Sequence, residues 1–452
     1  MNNNAWGEVH ETIKKVSAAL LNEDNRKCIS QSTLEEMVAI LHKAASVVKK
    51  ETDSYVISAI TECFRALRNS CVGQKATQNI IIKNTSALDD TCSILGTLSS
   101  LPVETSHASC IQIGVQFWGN SVVNNTENQK LVWSKCSAML LNLLSYKDEK
   151  VANYSSMVMY NILLGCPDLS MDQGTQLLEI LIDHAMMDSE YALFTVELLL
   201  ARDGYLQTVY NELKGERKLF LLEAIHSMLS SNEEKSTLHK VPVSSVVYLA
   251  QQFKTRSDCI LKTIEHYAEQ LEPMEVAKLL ELIASASSNN PYLQELQKDK
   301  SLLINCAFLL RNIHTLGKSS ENSFSTVQKL SALSLQGDQR EIQQHPAFGF
   351  KGSLIRLLGN LCWKHKENQD QVRELDCIPI LLDCCNIDAR NPLIIQWVVL
   401  ACRNLCEGNK DNQAVIASMT KLGTIDSSVL RELGITLHDD GEKKIGILPL
   451  SK

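Results

Sequence analysis

The sequence predicts an all-α protein built from stacked helical repeats. Two stretches near the C-terminus, residues 357–372 and 401–416, are copies of one another, and a shift of 44 residues superposes Asn360 on Asn404. Self-similarity at a period of about 40–47 residues is typical of HEAT and armadillo repeats. Hydrophobic residues make up 44% of the chain but aromatic residues only 5%, whereas β-rich folds need more aromatic residues. We therefore predict a right-handed α-solenoid of armadillo/HEAT-like helical repeats.

Size and charge narrow the class of protein further. The chain has 452 residues, more than one globular core usually organises, so several domains or a quasi-linear array are expected. Its 44 Lys and Arg against 52 Asp and Glu give a formal net charge of −8. Proteins that bind nucleic acids present a basic surface, so we predict no nucleic-acid partner.

The cysteines and the apolar runs indicate the cellular compartment of the protein. The fifteen cysteines include no C-x-x-C pair, and several lie in apolar runs, where cysteine behaves as a small hydrophobic residue. No run approaches the roughly 18 apolar residues of a transmembrane helix, and residues 1–20 lack the apolar core of a signal peptide. We predict a reducing, cytoplasmic environment and no membrane insertion.

The N-terminal part of the chain repeats the same motif more loosely. Further copies place Asn69 and Asn120 where the C-terminal copies carry their asparagines, and Asn161 and Asn312 keep an asparagine within an apolar helix. Residues 170–300 keep the helical periodicity but lose the motif. We predict an N-terminal armadillo-like helical repeat array over residues 1–316.

A polar segment at residues 317–346 interrupts this pattern. Residues 317–325 are small, polar and acidic, a composition typical of a mobile loop or linker. The serines between 317 and 336 would suit phosphorylation, with an unmodified linker as the alternative. A compact C-terminal domain is predicted at 347–420, and a C-terminal helix and tail at 421–452, with a last helix at 427–433 and a short strand or tail at 443–450.

The last repeat unit predicts three helices. Pro379 suits the first turn of the second helix, at 380–385, because its missing N–H has no helical partner there. Asn391 and Pro392 are predicted as the N-cap and first turn of a long third helix, Leu393–Glu407. The apolar positions on that helix recur at i, i+3, i+4 and i+7 and form a predicted buried stripe of Val398, Ala401, Cys402 and Leu405.

A short helix, a proline-started second helix and a long third helix with an asparagine near its end resemble the armadillo repeat. Residues 346–419 more closely resemble the C-terminal domain of the ataxin-10 family, in a long ungapped match that includes LIRLLGNLCWKHKENQDQV. One departure is Cys377, where the family usually has glycine. Because glycine tolerates a left-handed backbone, Cys377 must accept a strained turn or shift it.

The resemblance to ataxin-10 implies a function that the periodicity does not. It implies a non-enzymatic scaffold or adaptor that regulates cytokinesis, neurite outgrowth and neuronal survival. The implied partners are O-GlcNAc transferase and heterotrimeric G-protein β subunits, together with self-association. The implied location is cytoplasmic, including perinuclear, midbody, centrosome or basal-body sites.

One ridge of the third helices is the candidate protein-binding site. Trp397, Leu400 and Asn404 recur at i, i+3 and i+7, with Arg356 and Asn360 beside them. In armadillo proteins that bind extended peptides, such an asparagine contacts the peptide backbone and a tryptophan lies one turn earlier. That tryptophan ladder is missing here, so we predict that the asparagines are mainly structural and bond loop backbone or bridge helices.

No motif indicates an enzyme, a cofactor or a metal site. The chain contains no G-x-S-x-G, no Gly-rich phosphate loop, no H-E-x-x-H and no four-ligand zinc set. Stacked repeats instead offer an extended surface for proteins. Two alternatives are a regulator of a small or heterotrimeric GTPase, which needs no catalytic residue of its own, and a nuclear transport adaptor, which the missing tryptophan ladder disfavours.

Overall fold

The computed structural model describes residues 3–49, 53–166, 174–230, 240–265, 271–328, 344–419, 435–439 and 445–449. Two compact units divide the chain, Met1–Leu213 and Lys214–Lys452. Apart from one two-stranded sheet, the regular structure of these residues is helical, which confirms the predicted all-α class of helical repeats. Among these residues no helix is both long enough and apolar enough to cross a membrane.

The first unit consists of helices of 5 to 19 residues. Its elements are α1 (Asn3–Ala19), α2 (Glu23–Cys28), α3 (Gln31–Val48), α4 (Ser54–Ser70), α5 (Lys75–Asn84), α6 (Ala87–Ser99), α7 (Thr105–Val122), α8 (Thr126–Leu144), α9 (Glu149–Gly165), α10 (Gly174–Met186), α11 (Glu190–Leu200) and α12 (Tyr205–Val209). Helices α1, α4, α7, α9 and α11 pack against one another in succession. Phe64 on α4 and Phe117 on α7 are fully buried in this stack, with ring centroids 6.3 Å apart.

The second unit is also mainly helical, and a subset of its helices packs in succession. Its elements are α13 (Glu216–Ser230), α14 (Val243–Arg256), a 3-10 helix (Ser257–Glu265), α15 (Leu271–Ala286), α16 (Asn290–Gln297), α17 (Lys300–Ser319), α18 (Phe350–Leu361), α19 (Lys366–Glu374), α20 (Cys377–Asp383), α21 (Ile394–Cys406), α22 (Lys410–Ser418), β1 (Ile435–Asp439) and β2 (Ile445–Pro449). Helices α13, α15, α18 and α21 pack in succession. The antiparallel strands pair Ile435 with Pro449, so the chain end predicted as a strand or tail contributes a strand to a two-stranded sheet. The helix predicted at 427–433 lies outside the described residues.

Helix α17 differs from the prediction in two ways. It continues to Ser319, so the predicted boundary at 316 and 317 falls inside a helix. It packs on α14, α18 and α20 and is not part of the successive stack. Asn312 is exposed on this helix, so its interpretation as a repeat asparagine is wrong. The helix that precedes α18 in the stack is α15.

The segment after α17 packs against the C-terminal domain as far as residue 328. Phe324 is buried, the Ala389 amide donates to the Val327 carbonyl over 2.7 Å, and Arg390 Nη1 donates to the Ser325 carbonyl over 3.2 Å. This part of the predicted mobile loop is therefore held by hydrogen bonds on the protein surface. Residues 329–343 lie outside the described residues, and phosphorylation of the serines stays a prediction.

The starts of two helices in the last repeat, α20 and α21, differ from the prediction. Leu393, with a φ of 63°, precedes α21 in place of the predicted N-cap. The Asn391 side chain instead accepts from the Gly352 amide over 3.1 Å and donates to Asp388 over 2.8 Å. The turn before α20 has shifted by one residue, since Asp376 takes the left-handed backbone with a φ of 50° while Cys377 is helical. Aspartate tolerates this conformation better than most residues.

The buried stripe on α21 follows the predicted spacing. Val398, Ala401 and Leu405 are buried, whereas Cys402 is half-buried. The equivalent positions on α18, Leu354, Leu357, Leu358 and Leu361, are all buried. All fifteen cysteines are free thiols.

Candidate protein-binding groove in the second unit

The repeat asparagines bridge consecutive helices of each stack. Asn120 Nδ2 donates to the Arg68 carbonyl over 3.0 Å, and Asn404 Nδ2 donates to the Gly359 carbonyl over 2.9 Å. In both pairs the acceptor comes directly before the asparagine of the preceding repeat. The same side chain thus forms the same bond in both units, and each bond joins one repeat to the next.

The first asparagine of each pair is bonded in a similar way. Asn69 Nδ2 donates to the Ser17 carbonyl over 3.1 Å, at the end of α1. Asn360 Nδ2 donates to the hydroxyls of Ser287 and Ser288, over 2.9 and 3.3 Å, just after α15. Asn360 and Asn404 are 8% and 3% exposed, so their amides bond the protein and are poorly accessible to a partner.

A buried glutamine forms a second connection between repeats. Gln369 on α19 is 2% exposed, and its Nε2 lies 3.2 Å from the Cys362 carbonyl, 2.8 Å from that of Asn404 and 3.2 Å from that of Glu407. Its Oε1 accepts from Asn409 Nδ2 over 3.3 Å. We call Gln369 and these partners the glutamine clasp, because it ties the second-to-last repeat to the last.

The first unit has an equivalent clasp around Gln78. Its Nε2 donates to the Asn120 carbonyl over 2.9 Å and lies 3.4 Å from that of Val123, while its Oε1 accepts from Asn125 Nδ2 over 3.0 Å. In the sequence copies, Gln78 and Gln369 both align with Gln413. Their role in stacking could have been inferred from the copies, because a polar side chain repeated among apolar helices needs buried partners.

The predicted ridge is only partly accessible. Trp397 and Leu400 are half-buried, and Arg356 lies beside them on α18. The Arg356 guanidinium carbon is 4.8 Å from the Trp397 ring centroid, within the range of a cation–π contact. Arg356 Nη2 also donates to Ser288 Oγ over 2.9 Å. Burial lowers the pKa of Arg356 from its ordinary value, although an arginine remains protonated.

Trp397 also forms part of the wall of a groove of about 690 Å³ along α13, α15, α18 and α21. The other lining residues that carry its chemistry are Glu223, Met274, Lys278, Glu281 and Phe348. Lys278 Nζ lies 3.1 Å from Glu223 and 3.8 Å from Glu281, so one lysine faces two carboxylates. The groove lining is therefore apolar at Trp397, Met274 and Phe348 and acidic at Glu223 and Glu281.

The sequence predicted only one wall of this groove, the wall that contains Trp397. Leu400 does not line it, and the residues of α13 and α15 come from the stretch in which the repeat motif is lost. Within the described part of the chain, no group of three or more His, Cys, Asp or Glu side chains is placed to hold a metal ion.

Successive helices bridged by repeat asparagines and glutamines define an all-α protein of the armadillo/HEAT-like helical-repeat class. A family model described as "Spinocerebellar ataxia type 10 protein domain" matches residues 350–447. Ataxin-10 of Pongo abelii is 31% identical over 451 residues, which cover 96% of this chain and 93% of the relative. Ataxin-10 of Xenopus tropicalis is 31% identical over 458 residues, covering 97% and 92%.

The C-terminal domain has more distant relatives as well. An ataxin-10 homolog of Dictyostelium discoideum is 48% identical over 87 residues, 19% of this chain and 14% of that protein. The chain belongs to the ataxin-10 family, which confirms the resemblance of residues 346–419. None of these relatives carries the name of an enzyme.

Proposed function

We propose that this chain is a non-enzymatic scaffold that binds a segment of a partner protein in the groove of its second unit. The proposal rests on the groove along α13, α15, α18 and α21. Its volume of about 690 Å³ suits a few side chains of an extended segment. Helical-repeat proteins present such surfaces to their partners.

The lining of the groove specifies the chemistry of the segment. Trp397 offers a rigid aromatic wall, and buried aromatic residues carry much of the binding energy in interfaces. Glu223 and Glu281 outnumber Lys278 among these lining residues. The best complement is therefore a segment with an apolar side chain for the Trp397 wall and a basic side chain beside it, since opposite charges favour the correct register.

Charge reversal in the groove is expected to weaken partner binding without unfolding the chain. The Glu223→Lys, Glu281→Lys double variant should lose about tenfold in affinity, because a basic segment then meets lysines. Both carboxylates are well exposed, with side-chain exposures of 58% and 49%, so the fold should persist. Binding is measured by biolayer interferometry with purified O-GlcNAc transferase and G-protein β subunit, and folding by circular dichroism.

The matched control is Glu295→Lys on α16. Its carboxylate is 44% exposed, pairs with Lys298 over 2.7 Å and is not among the groove residues. The control should bind like the unmodified chain. Equal affinity for the double variant and the control would contradict binding in the groove.

We also propose the finer roles that family membership supports. These are regulation of cytokinesis, neurite outgrowth and neuronal survival, association with O-GlcNAc transferase and G-protein β subunits, and self-association. The corresponding location is the cytoplasm, including perinuclear, midbody, centrosome or basal-body sites. Depletion followed by rescue with the Glu223→Lys, Glu281→Lys variant would test whether these roles depend on the groove.

A further inference from the structure

A second cavity in the C-terminal unit is lined by a buried lysine that has no acidic partner among the described residues. The cavity has a volume of about 260 Å³ and lies among α17, α18 and α20. Lys351, which lines it, is 4% exposed, and its Nζ donates to the Phe324 carbonyl over 3.1 Å. No carboxylate among the described residues forms an ion pair with Lys351. An ammonium group has three donors, so a single carbonyl leaves both its charge and its donors undersatisfied.

The position of Lys351 in its helix increases the positive potential. It is the second residue of α18, in the first turn. The N-terminus of a helix carries a partial positive charge, so acidic residues are favoured there and a lysine is disfavoured. A buried lysine at this place is costly unless an anion approaches it.

The carboxylate of Asp383 in the cavity already has cationic and neutral partners. It pairs with Lys318 and lies 2.9 Å from His314 Nε2. Burial opposes ionisation of Asp383, but these two hydrogen bonds outweigh it and hold its pKa below the ordinary value. Burial lowers the pKa of His314, which therefore adds no positive charge at neutral pH.

The second carboxylate, Asp388, is fully engaged with nitrogen donors. Its Oδ1 accepts from the amides of Val327 and Arg390 over 3.2 and 3.1 Å, and its Oδ2 accepts from Asn391 Nδ2 over 2.8 Å. Among the described residues, no carboxylate is therefore paired directly with Lys351, and Lys351 lines a space that could hold one.

We propose that this cavity binds a carboxylate group, with Lys351 as its counter-ion. The hydroxyl of Thr326 and the amide of Asn386 also line the cavity and supply neutral hydrogen-bond donors. The volume equals roughly nine water molecules at about 30 Å³ each, enough for a small carboxylic acid or for an acidic side chain of a partner. A small acid and an acidic side chain of a partner both present a carboxylate group, and a competition experiment distinguishes them.

Cys384 provides a reporter inside the cavity. This residue lines the space, and its Sγ lies 3.5 Å from His314 Nδ1. Iodoacetate and iodoacetamide alkylate thiols by the same reaction: the S–C bond forms, the C–I bond breaks, iodide leaves, and His314 Nδ1 can take the thiol proton. Only iodoacetate carries a carboxylate, so the ratio of the two labelling rates measures recognition of that group. Burial raises the pKa of Cys384 to about 11, so labelling is run at ~pH 9.

The full-length chain is labelled with each reagent, and the modified peptides are quantified by mass spectrometry. We expect the iodoacetate-to-iodoacetamide rate ratio at Cys384 to exceed that at the exposed Cys28 by about tenfold. The Lys351→Met variant, whose unbranched side chain is one atom shorter and carries no charge, should lose this preference. The Lys298→Met variant removes an exposed lysine at the end of α16 that does not line the cavity, and it should keep the preference. Equal ratios at Cys384 and Cys28 in the unmodified chain would overturn the proposal, even if a variant fails to fold.

Competition identifies the source of the carboxylate. Protection of Cys384 by acetate, but not by acetamide at the same ionic strength, supports a free acid. Protection by a triglutamate peptide and not by acetate supports an acidic side chain of a partner. If neither acetate nor the peptide slows labelling by iodoacetate, the cavity does not bind carboxylates and the proposal fails.

Discussion

Replacing Gln369 by alanine is expected to lower the free energy of unfolding of the second unit by about 3 kcal/mol, because the glutamine clasp is buried. The substitution removes the donor to the carbonyls of Cys362, Asn404 and Glu407 and the acceptor of Asn409 Nδ2. Each buried polar group left without a partner costs about 1–3 kcal/mol, and some of these groups keep other partners. Urea denaturation followed by circular dichroism measures the change.

The last repeat supplies a matched control for this prediction. Gln413 occupies the position equivalent to Gln369, but it is exposed, and its Nε2 donates to the Cys406 carbonyl over 2.8 Å. Gln413→Ala should therefore cost less than about 1 kcal/mol. A similar loss for both substitutions would mean that the bonds to the next repeat add nothing to stability.

Replacing Gly359 by alanine is expected to destabilise the second unit by about 3 kcal/mol through a steric clash. A Cβ atom at this position would lie 2.8 Å from Ala401 Cα and 2.9 Å from Ala401 Cβ. Backbone on α21 cannot rotate away as a flexible side chain could, so α18 and α21 would have to separate. Overpacking of a close contact typically costs about 1–3 kcal/mol. This loss of stability is measured as a lower melting temperature by calorimetry and as a lower urea midpoint.

Gly352 on the same helix is the control for Gly359. A Cβ atom there would meet its nearest neighbours, the Pro392 carbonyl oxygen and Trp397 Cδ1, at 3.8 Å, which is ordinary van der Waals contact. Gly352→Ala should be neutral or stabilise the chain by about 0.5 kcal/mol, since alanine loses less backbone freedom on folding. If Gly359→Ala were equally harmless, α18 and α21 would be farther apart than the structure places them.

The fold was predictable because the repeated residues that define it are close in sequence. Asn360 and Asn404 align without a gap, and the apolar spacing on their helices predicted the stripe that α18 and α21 bury. Local signals were less reliable at helix ends. Asn391 looks like an N-cap, yet its side chain bonds Gly352 and Asp388, an arrangement that depends on neighbouring helices.

Non-local packing explains what the sequence did not predict. Asn312 lies in an apolar helix and matches the motif, but α17 packs outside the stack and exposes it. The sequence predicted only part of the groove for the same reason. Trp397 was predicted as a binding residue, whereas Glu223 and Lys278 lie on helices without the motif and join it only through packing. Lys351 resembles a surface lysine in the sequence, but in the structure it is buried and its Nζ donates to the Phe324 carbonyl.

Cross-linking mass spectrometry on native complexes tests most directly whether the groove of the second unit binds a partner. Lys278 lies in the groove and Lys298 on α16 does not, and both amines are accessible to an amine-reactive reagent, with side-chain exposures of 37% and 68%. We predict that partner peptides cross-link to Lys278 and that the Glu223→Lys, Glu281→Lys variant loses these cross-links. Partner cross-links that involve Lys298 but not Lys278, and that persist in the variant, would contradict binding in the groove.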